Sequence, residues 1–113
     1  SAGMTMINSV TDPIAASLAC LRGCIPPGSK VIVFGSQARG DAGEDSDLDL
    51  LVVEPEVGNR LDEMARLSSL LGRQLIPADV VVMSHAAFED ERTQPNTLAW
   101  RAVHEGRIHE FPG

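Results

Sequence analysis

Three short runs of apolar residues constrain the fold of this chain more than any other feature of its sequence. They are residues 30–34 (KVIVF), 47–53 (DLDLLVV) and 78–83 (ADVVVM), and β-branched side chains are frequent in them. Runs of this length, bounded by glycine, proline or polar residues, are typical of β-strands. The sequence therefore predicts an α/β or α+β fold, with a small sheet of three or more strands flanked by helices.

Helical spacing of apolar residues occurs before, between and after these runs. The first predicted helix starts at Pro13 and continues to the Pro-Pro-Gly turn, and the second starts after Asn59 and ends at about Gln74. A short last helix covers residues 98–104, and the polar residues 89–97 before it are predicted to form a loop. The residues predicted to face the core from the first two helices are Ile14, Leu18, Leu21, Ile25, Leu61, Met64, Leu67, Leu71 and Leu75.

The length of 113 residues is enough for one hydrophobic core and too short for two. Residues 1–3, which precede Met4, are typical of a cloning scar, so a single domain is expected over residues 4–113. No apolar run approaches the roughly 18 residues that a membrane span needs, and no signal peptide is evident. A cytoplasmic protein without a membrane partner is predicted.

The charge of the chain bears on its partners. The formal net charge is −7, Lys30 is the only lysine, and the arginines are scattered singly. Proteins that grip nucleic acid normally present a basic face that neutralises phosphates. The sequence therefore predicts no direct nucleic-acid partner.

Two carboxylates at alternate positions of the second predicted strand are the first sign of a functional site. Asp47 and Asp49 would point to the same side, where they repel each other unless a cation lies between them. Two carboxylates together with substrate phosphates are the usual ligands by which a protein holds Mg²⁺. The simpler alternative is a solvated face of an edge strand.

The phosphate side of the site is predicted at Gly35-Ser36, directly after the first strand. Glycine lets backbone N–H groups approach a ligand closely, and serine adds a hydroxyl donor. Ten residues separate Ser36 from Asp47, which is enough for the chain to return to a neighbouring strand. Asp79, at the head of the very apolar third strand, is the candidate third carboxylate of a site for two metal ions. A plain turn at Gly35-Ser36 and a solvated Asp79 are the alternatives.

Together these motifs resemble the signature of the DNA-polymerase-β-like nucleotidyltransferase superfamily. The resemblance is carried by Gly35-Ser36, Arg39-Gly40 and the sequence SDLDL at residues 46–50, with Asp79 beyond them. The short chain is similar to the minimal nucleotidyltransferase branch of that superfamily. The resemblance implies the polymerase-β-like nucleotidyltransferase fold, with a mixed sheet.

The resemblance also implies a role for each candidate residue. Gly35 and Ser36 would bind the β- and γ-phosphates of ATP, and Asp47 and Asp49 would ligate Mg²⁺. Asp79 would ligate a second Mg²⁺ ion and help to deprotonate the acceptor hydroxyl. Arg39 either contacts phosphate or pairs with nearby acidic residues, and the sequence leaves both possibilities open.

The acceptor of the nucleotidyl group is inferred from the same resemblance. Small members of the branch resemble the antitoxins of toxin–antitoxin pairs, which transfer AMP from ATP to a tyrosine hydroxyl of a HEPN-type toxin. A HEPN-type toxin is therefore the expected partner. Two alternatives stay open: a non-catalytic antitoxin that acts by binding alone, and a nucleotidyltransferase that modifies a small molecule.

Overall fold

The computed structural model describes residues 13–35 and 48–111, and the three predicted strands form within these ranges. Each predicted helix is also present, although several boundaries differ. In chain order the elements are α1 (Pro13–Leu21), β1 (Ser29–Phe34), β2 (Leu48–Glu54), α2 (Arg60–Arg73), β3 (Ala78–Ser84), α3 (His85–Glu91), α4 (Leu98–Glu105) and β4 (Arg107–Phe111).

The strands form one mixed sheet in the order β3-β2-β1-β4. Strand β1 is antiparallel to both of its neighbours, whereas β2 and β3 run parallel. Parallel neighbours need a crossover connection, and α2 supplies it between β2 and β3. The predicted small mixed sheet flanked by helices is therefore confirmed, with four strands in the described ranges.

Strand β2 is central and is covered on both faces, which explains its nearly continuous apolar sequence. Alternate side chains enter two separate cores. The first core lies against α1 and α2 and includes Leu21, Val31, Val33, Leu48, Leu50, Val52, Leu67, Leu71 and Val82. The second core lies against α3 and α4 and includes Ile32, Phe34, Leu51, Val53, Met83, Phe88, Ala99 and Ala102.

The sequence pattern did not predict strand β4. Its sequence, RIHEF, is exposed or half-buried throughout, so it lacks the apolar alternation of a covered strand. It forms because Gly106 ends α4 and turns the chain beside β1, with its N–H bonded to Ala102 O at 2.8 Å. A Cβ at Gly106 would lie 2.6 Å from Val33 O, so only glycine allows this close approach.

Helix α3 corrects the predicted loop over residues 89–97. The Ser84 hydroxyl accepts a hydrogen bond from Ala87 N–H and caps the helix, which then continues to Glu91. Phe88 is completely buried in the second core and holds this helix against the sheet. The loop prediction was therefore wrong for residues 89–91, because one buried aromatic residue outweighs the polar sequence around it.

Helix α1 ends earlier than predicted. It stops at Leu21, because Gly23 adopts a φ of 81° that a right-handed helix does not allow. Ile25 is nevertheless buried, with only 8% of its surface exposed, so it packs into the core from the segment after the helix. No helix in the two described ranges is both long and apolar enough to cross a membrane.

Two leucines predicted for the core of α2 are exposed instead. Leu61 is 72% exposed and Leu75 is 89% exposed, since both lie at the ends of the apolar stripe. Leu75 also lies just after the end of α2 and has a φ of 57°, which is a left-handed backbone conformation. The Ile76 N–H donates to Leu71 O at 3.0 Å across this turn, as in a Schellman-type helix end.

We expect Leu75→Gly to stabilise the protein by about 0.5–1 kcal/mol, because glycine adopts a positive φ without the steric penalty of a Cβ. Little packing is lost, since the leucine side chain is almost fully exposed. Urea unfolding at equilibrium would measure the change. Gln74→Gly is the matched control, because Gln74 has a φ of −91° and glycine there should destabilise. A loss of stability in the Leu75 variant would contradict this account of the helix end.

Candidate active site

Asp49 and Asp79 lie side by side at one edge of the sheet. Asp49 is the direct partner of Asp79 in the parallel β2–β3 pair, and of Phe34 in the antiparallel β1–β2 pair. Neighbouring strands are roughly 4.8 Å apart, and partner residues direct their side chains to the same face of a sheet. The register therefore places both carboxylates on the face covered by α3 and α4, beside the end of β1.

Three other residues predicted for this site lie outside the described residues. They are Ser36, Arg39 and Asp47, which belong to the segment between β1 and β2. Their roles remain predictions. Of the six candidate residues, the structure thus brings together Gly35, Asp49 and Asp79.

Gly35 contacts the site through its backbone. It is buried directly after β1 and has a φ of 83°, a conformation that favours glycine. A Cβ built on Gly35 would overlap the Asp49 carboxylate, with Asp49 Cγ only 3.1 Å away. Glycine is therefore required at this position for two reasons, and it lets the backbone pass directly beside the acidic pair.

The electrostatics of the pair favour a bound cation. Asp49 is half-buried and Asp79 is exposed. Two carboxylates about 5 Å apart repel by about 1 kcal/mol in water and about 3 kcal/mol at an effective dielectric of 20. A divalent cation between them would reverse the sign of this interaction. The exposed side of Asp79 leaves room for a ligand to approach.

These residues fit a divalent cation that shares its ligands with a substrate. In the described ranges no three His, Cys, Asp or Glu residues are grouped so that they alone could hold a metal ion. Mg²⁺ is usually bound by one or two carboxylates and completes its coordination with waters and substrate phosphates. Asp49 and Asp79 meet that requirement, and the two strands hold them in fixed register.

A second acidic group, which the sequence pattern did not reveal, lies at the other end of β2. Glu54 is only 3% exposed, and burial together with the neighbouring Glu63 raises the pKa of its carboxyl to about 7. Glu63 accepts two hydrogen bonds from Arg66, at 2.8 Å and 2.6 Å, and these hold the pKa of Glu63 down at about 2. The predicted strand ends at Val53, whereas β2 continues to Glu54.

These shifts predict an unusual dependence of stability on pH. The pKa of Glu54 rises from 4.5 to about 7 on folding, so its contribution to stability is lost as the pH rises through that interval. We expect the native protein to lose on the order of 2 kcal/mol between pH 5 and pH 8, and Glu54→Gln to remove most of that loss. The amide needs no proton, so the variant should be the more stable protein at pH 8.

Urea unfolding at pH 5 and pH 8 would measure this difference. Asp90→Asn is the matched control, since Asp90 is exposed on α3 and the substitution changes the charge equally. It should retain the pH dependence of the native chain. If the free energy of unfolding changed equally with pH in the Glu54 variant and the native chain, that result would contradict the burial of an ionisable Glu54.

Comparisons with known proteins identify the family of this chain. A model of the nucleotidyltransferase domain family matches residues 22–100, a range that contains Gly35, Asp49 and Asp79. No curated protein sequence matches the chain.

Three similar solved structures cover most of the chain. A toxin–antitoxin crystal structure with AMP-PNP is 23% identical and covers 80% of this chain and 67% of that one, with a TM-score of 0.50. A structure assigned as a minimal nucleotidyltransferase is 32% identical and covers 92% of each chain, with a TM-score of 0.46. A structure assigned as a nucleotidyltransferase from Sulfolobus solfataricus is 24% identical and covers 92% of this chain and 87% of that one, with a TM-score of 0.44. Because the family model spans well over half of the sequence, the chain belongs to the nucleotidyltransferase domain family.

Proposed function

We propose that this chain is a cytoplasmic, Mg²⁺-dependent nucleotidyltransferase that transfers AMP from ATP to a tyrosine hydroxyl of a partner protein. The observation that carries the proposal is the direct register of Asp49 and Asp79 beside the backbone of Gly35. Membership of the nucleotidyltransferase domain family supports transferase activity. The partner that we propose is a HEPN-type toxin, which would make the chain an antitoxin.

In this proposal each site residue has one task. Gly35 and Ser36 would bind the β- and γ-phosphates through backbone N–H groups and the serine hydroxyl, and Arg39 would either contact phosphate or pair with nearby acidic residues. Asp47, Asp49 and Asp79 would hold two Mg²⁺ ions, which would neutralise the charge that develops on the phosphates. Asp79, the exposed member of the pair, lies where an acceptor can approach from solvent.

The transfer is an in-line displacement at the α-phosphorus. The acceptor oxygen forms a bond to that phosphorus, the bond to the bridging oxygen of pyrophosphate breaks, and pyrophosphate leaves. The proton of the acceptor hydroxyl passes to the Asp79 carboxylate. The protein contributes mainly by positioning the reactants and by fixed electrostatics, because the register of the strands sets the two carboxylates before substrate binds.

Charge supports a protein as the acceptor. The chain carries a net charge of −7 and its only lysine is Lys30, so its composition favours a protein over the phosphates of a nucleic acid. The likeness to the toxin–antitoxin structure is one of fold, and the toxin partner is therefore part of the proposal. Transfer to a small molecule and neutralisation by contact alone are the outcomes against which the proposal is tested.

The decisive experiment is to incubate the protein with ATP, Mg²⁺ and the product of the neighbouring gene, and to record intact masses. We expect the partner to gain one or more AMP units. The gain should be absent with Asp49→Asn and present with Asp90→Asn, which changes the same charge away from the site. Parallel reactions with GTP and CTP test the preference for ATP.

Three results would contradict the proposal in whole or in part. An unmodified partner that still forms a stable, non-toxic complex with the Asp49 variant would identify a binding antitoxin. A nucleotidylated small molecule together with an unmodified partner would identify a different acceptor. Equal transfer from GTP or CTP would contradict the proposed use of ATP.

A further inference from the structure

A second cleft lies at the opposite end of the sheet from Asp49 and Asp79. Its volume is about 470 Å³, and its walls include four acidic residues, Glu54, Glu56, Asp62 and Glu63, with one basic residue, Arg66. Glu54 follows Asp49 by five residues along β2, or roughly 17 Å. It also faces α2, whereas Asp49 lies on the face of α3 and α4. The cleft is therefore separate from the nucleotidyl-transfer site.

One carboxylate oxygen of Glu54 has no hydrogen-bond donor among the described residues around this cleft. The residue is only 3% exposed, and its Oε2 atom is buried without a hydrogen-bond partner in the described ranges. A buried polar atom without a partner is costly and is rare in native proteins. Glu54 Oε2 therefore needs either a proton shared with Glu63 or an N–H donor from outside the described residues.

Arg66, the basic residue among the described residues that line the cleft, does not supply that donor. The Arg66 guanidinium donates to both oxygens of Glu63, through Nε at 2.8 Å and Nη2 at 2.6 Å. Its Nη2 also donates to Cys24 O at 2.7 Å. Arg66 is thus committed to Glu63 and to the segment after α1, and the cleft keeps an excess of negative charge.

We propose that this cleft binds an organic cation, a guanidinium or ammonium group on an aliphatic stem, which enters between Glu54 and Glu63. Such a group would separate the two carboxylates and give Glu54 Oε2 the N–H donor that it lacks. The aliphatic stem would lie against Pro26 and Val57, the apolar part of the wall. A bare metal ion fits less well, since no three ligating residues in the described ranges are grouped to hold one.

Binding should be linked to a proton. In the empty cleft the raised pKa of Glu54 lets it share a proton with Glu63 near neutral pH, and the cation would replace that proton. The other charged groups that face this pair are Arg66 and Asp62 from α2 and Glu56 from the preceding loop, with the Cys24 thiol beside Arg66. We expect affinity to fall about tenfold between pH 8 and pH 6, as Glu54 takes up its proton.

The test is calorimetric titration of the whole chain with butylguanidinium and butylammonium at pH 6 and pH 8. We expect saturable binding that is about tenfold weaker at pH 6 and is lost in Glu54→Gln. Asp90→Asn carries the same change of charge and should bind as the native chain does. Tetramethylammonium, which has the charge and no N–H donor, should not bind.

The source of the cation is distinguished by two further probes. A capped peptide with a central arginine that binds more tightly than butylguanidinium would identify a protein side chain as the occupant. Tighter binding of spermidine would identify a free polyamine. The inference would be overturned by the absence of saturable binding at pH 8, by equal binding of tetramethylammonium, or by undiminished binding in a folded Glu54→Gln variant. None of these results depends on nucleotidyl transfer.

Discussion

Replacing Asp49 with asparagine should lower the rate of nucleotidyl transfer roughly 10³-fold while the fold is retained. Charge stabilisation by a metal ion contributes several kcal/mol in the transition state, and about 4 kcal/mol corresponds to that factor. Asparagine keeps the shape of the side chain and removes the charge that would hold the cation. The measurement is release of pyrophosphate with saturating acceptor, together with calorimetric titration of ATP in the presence and absence of Mg²⁺.

The same substitution should retain the fold, because asparagine has the size of aspartate and can still form hydrogen bonds, and it removes the repulsion between Asp49 and Asp79. That combination separates a functional carboxylate from a structural one. The double variant Asp49→Asn with Asp79→Asn should be hardly slower than either single variant, because residues that act as a unit are strongly non-additive. Asp90→Asn should retain the native rate. Additive losses, or an Mg²⁺-dependent affinity for ATP that survives in the Asp49 variant, would contradict a shared metal site.

The three strands that carry this site could be predicted from the sequence because β2 is covered on both faces. Its residues 48–53 must be apolar apart from Asp49, so the acidic residue is conspicuous. The register of Asp49 with Asp79 could not be predicted in the same way. It depends on the length and docking of α2, which sets how far β3 slides along β2.

Features on the rim of the fold were harder to predict. Strand β4 is held by backbone pairing with β1 and by the tight contact at Gly106, and neither leaves an apolar pattern. The burial of Glu54 was hard to predict for another reason, since an acidic residue at the end of an apolar run is typical of an exposed turn. Only the packing of α2 over the strand shows that this carboxyl is buried against Glu63.

Gly35→Ala should lower the rate of transfer by at least about 10²-fold, because a misplacement of about 1 Å at reacting groups has an effect of that size. The added Cβ would overlap the Asp49 carboxylate, so either the backbone after β1 or the acidic side chain must move. The affinity for ATP with Mg²⁺ should fall as well. Stability should decrease by about 1–2 kcal/mol, since alanine is strained at a φ of 83°.

Gly23→Ala is the matched control for this prediction. Gly23 has a similar φ of 81°, yet a Cβ there would meet no atom within 4 Å. Both variants therefore carry the strain of a left-handed alanine, and only the Gly35 variant disturbs Asp49. If the two variants lose stability equally and only Gly35→Ala loses transfer, the close approach of the Gly35 backbone to Asp49 is a requirement of the chemistry. If Gly35→Ala keeps its activity within twofold, Asp49 has another position from which it can act, and the site does not depend on the glycine.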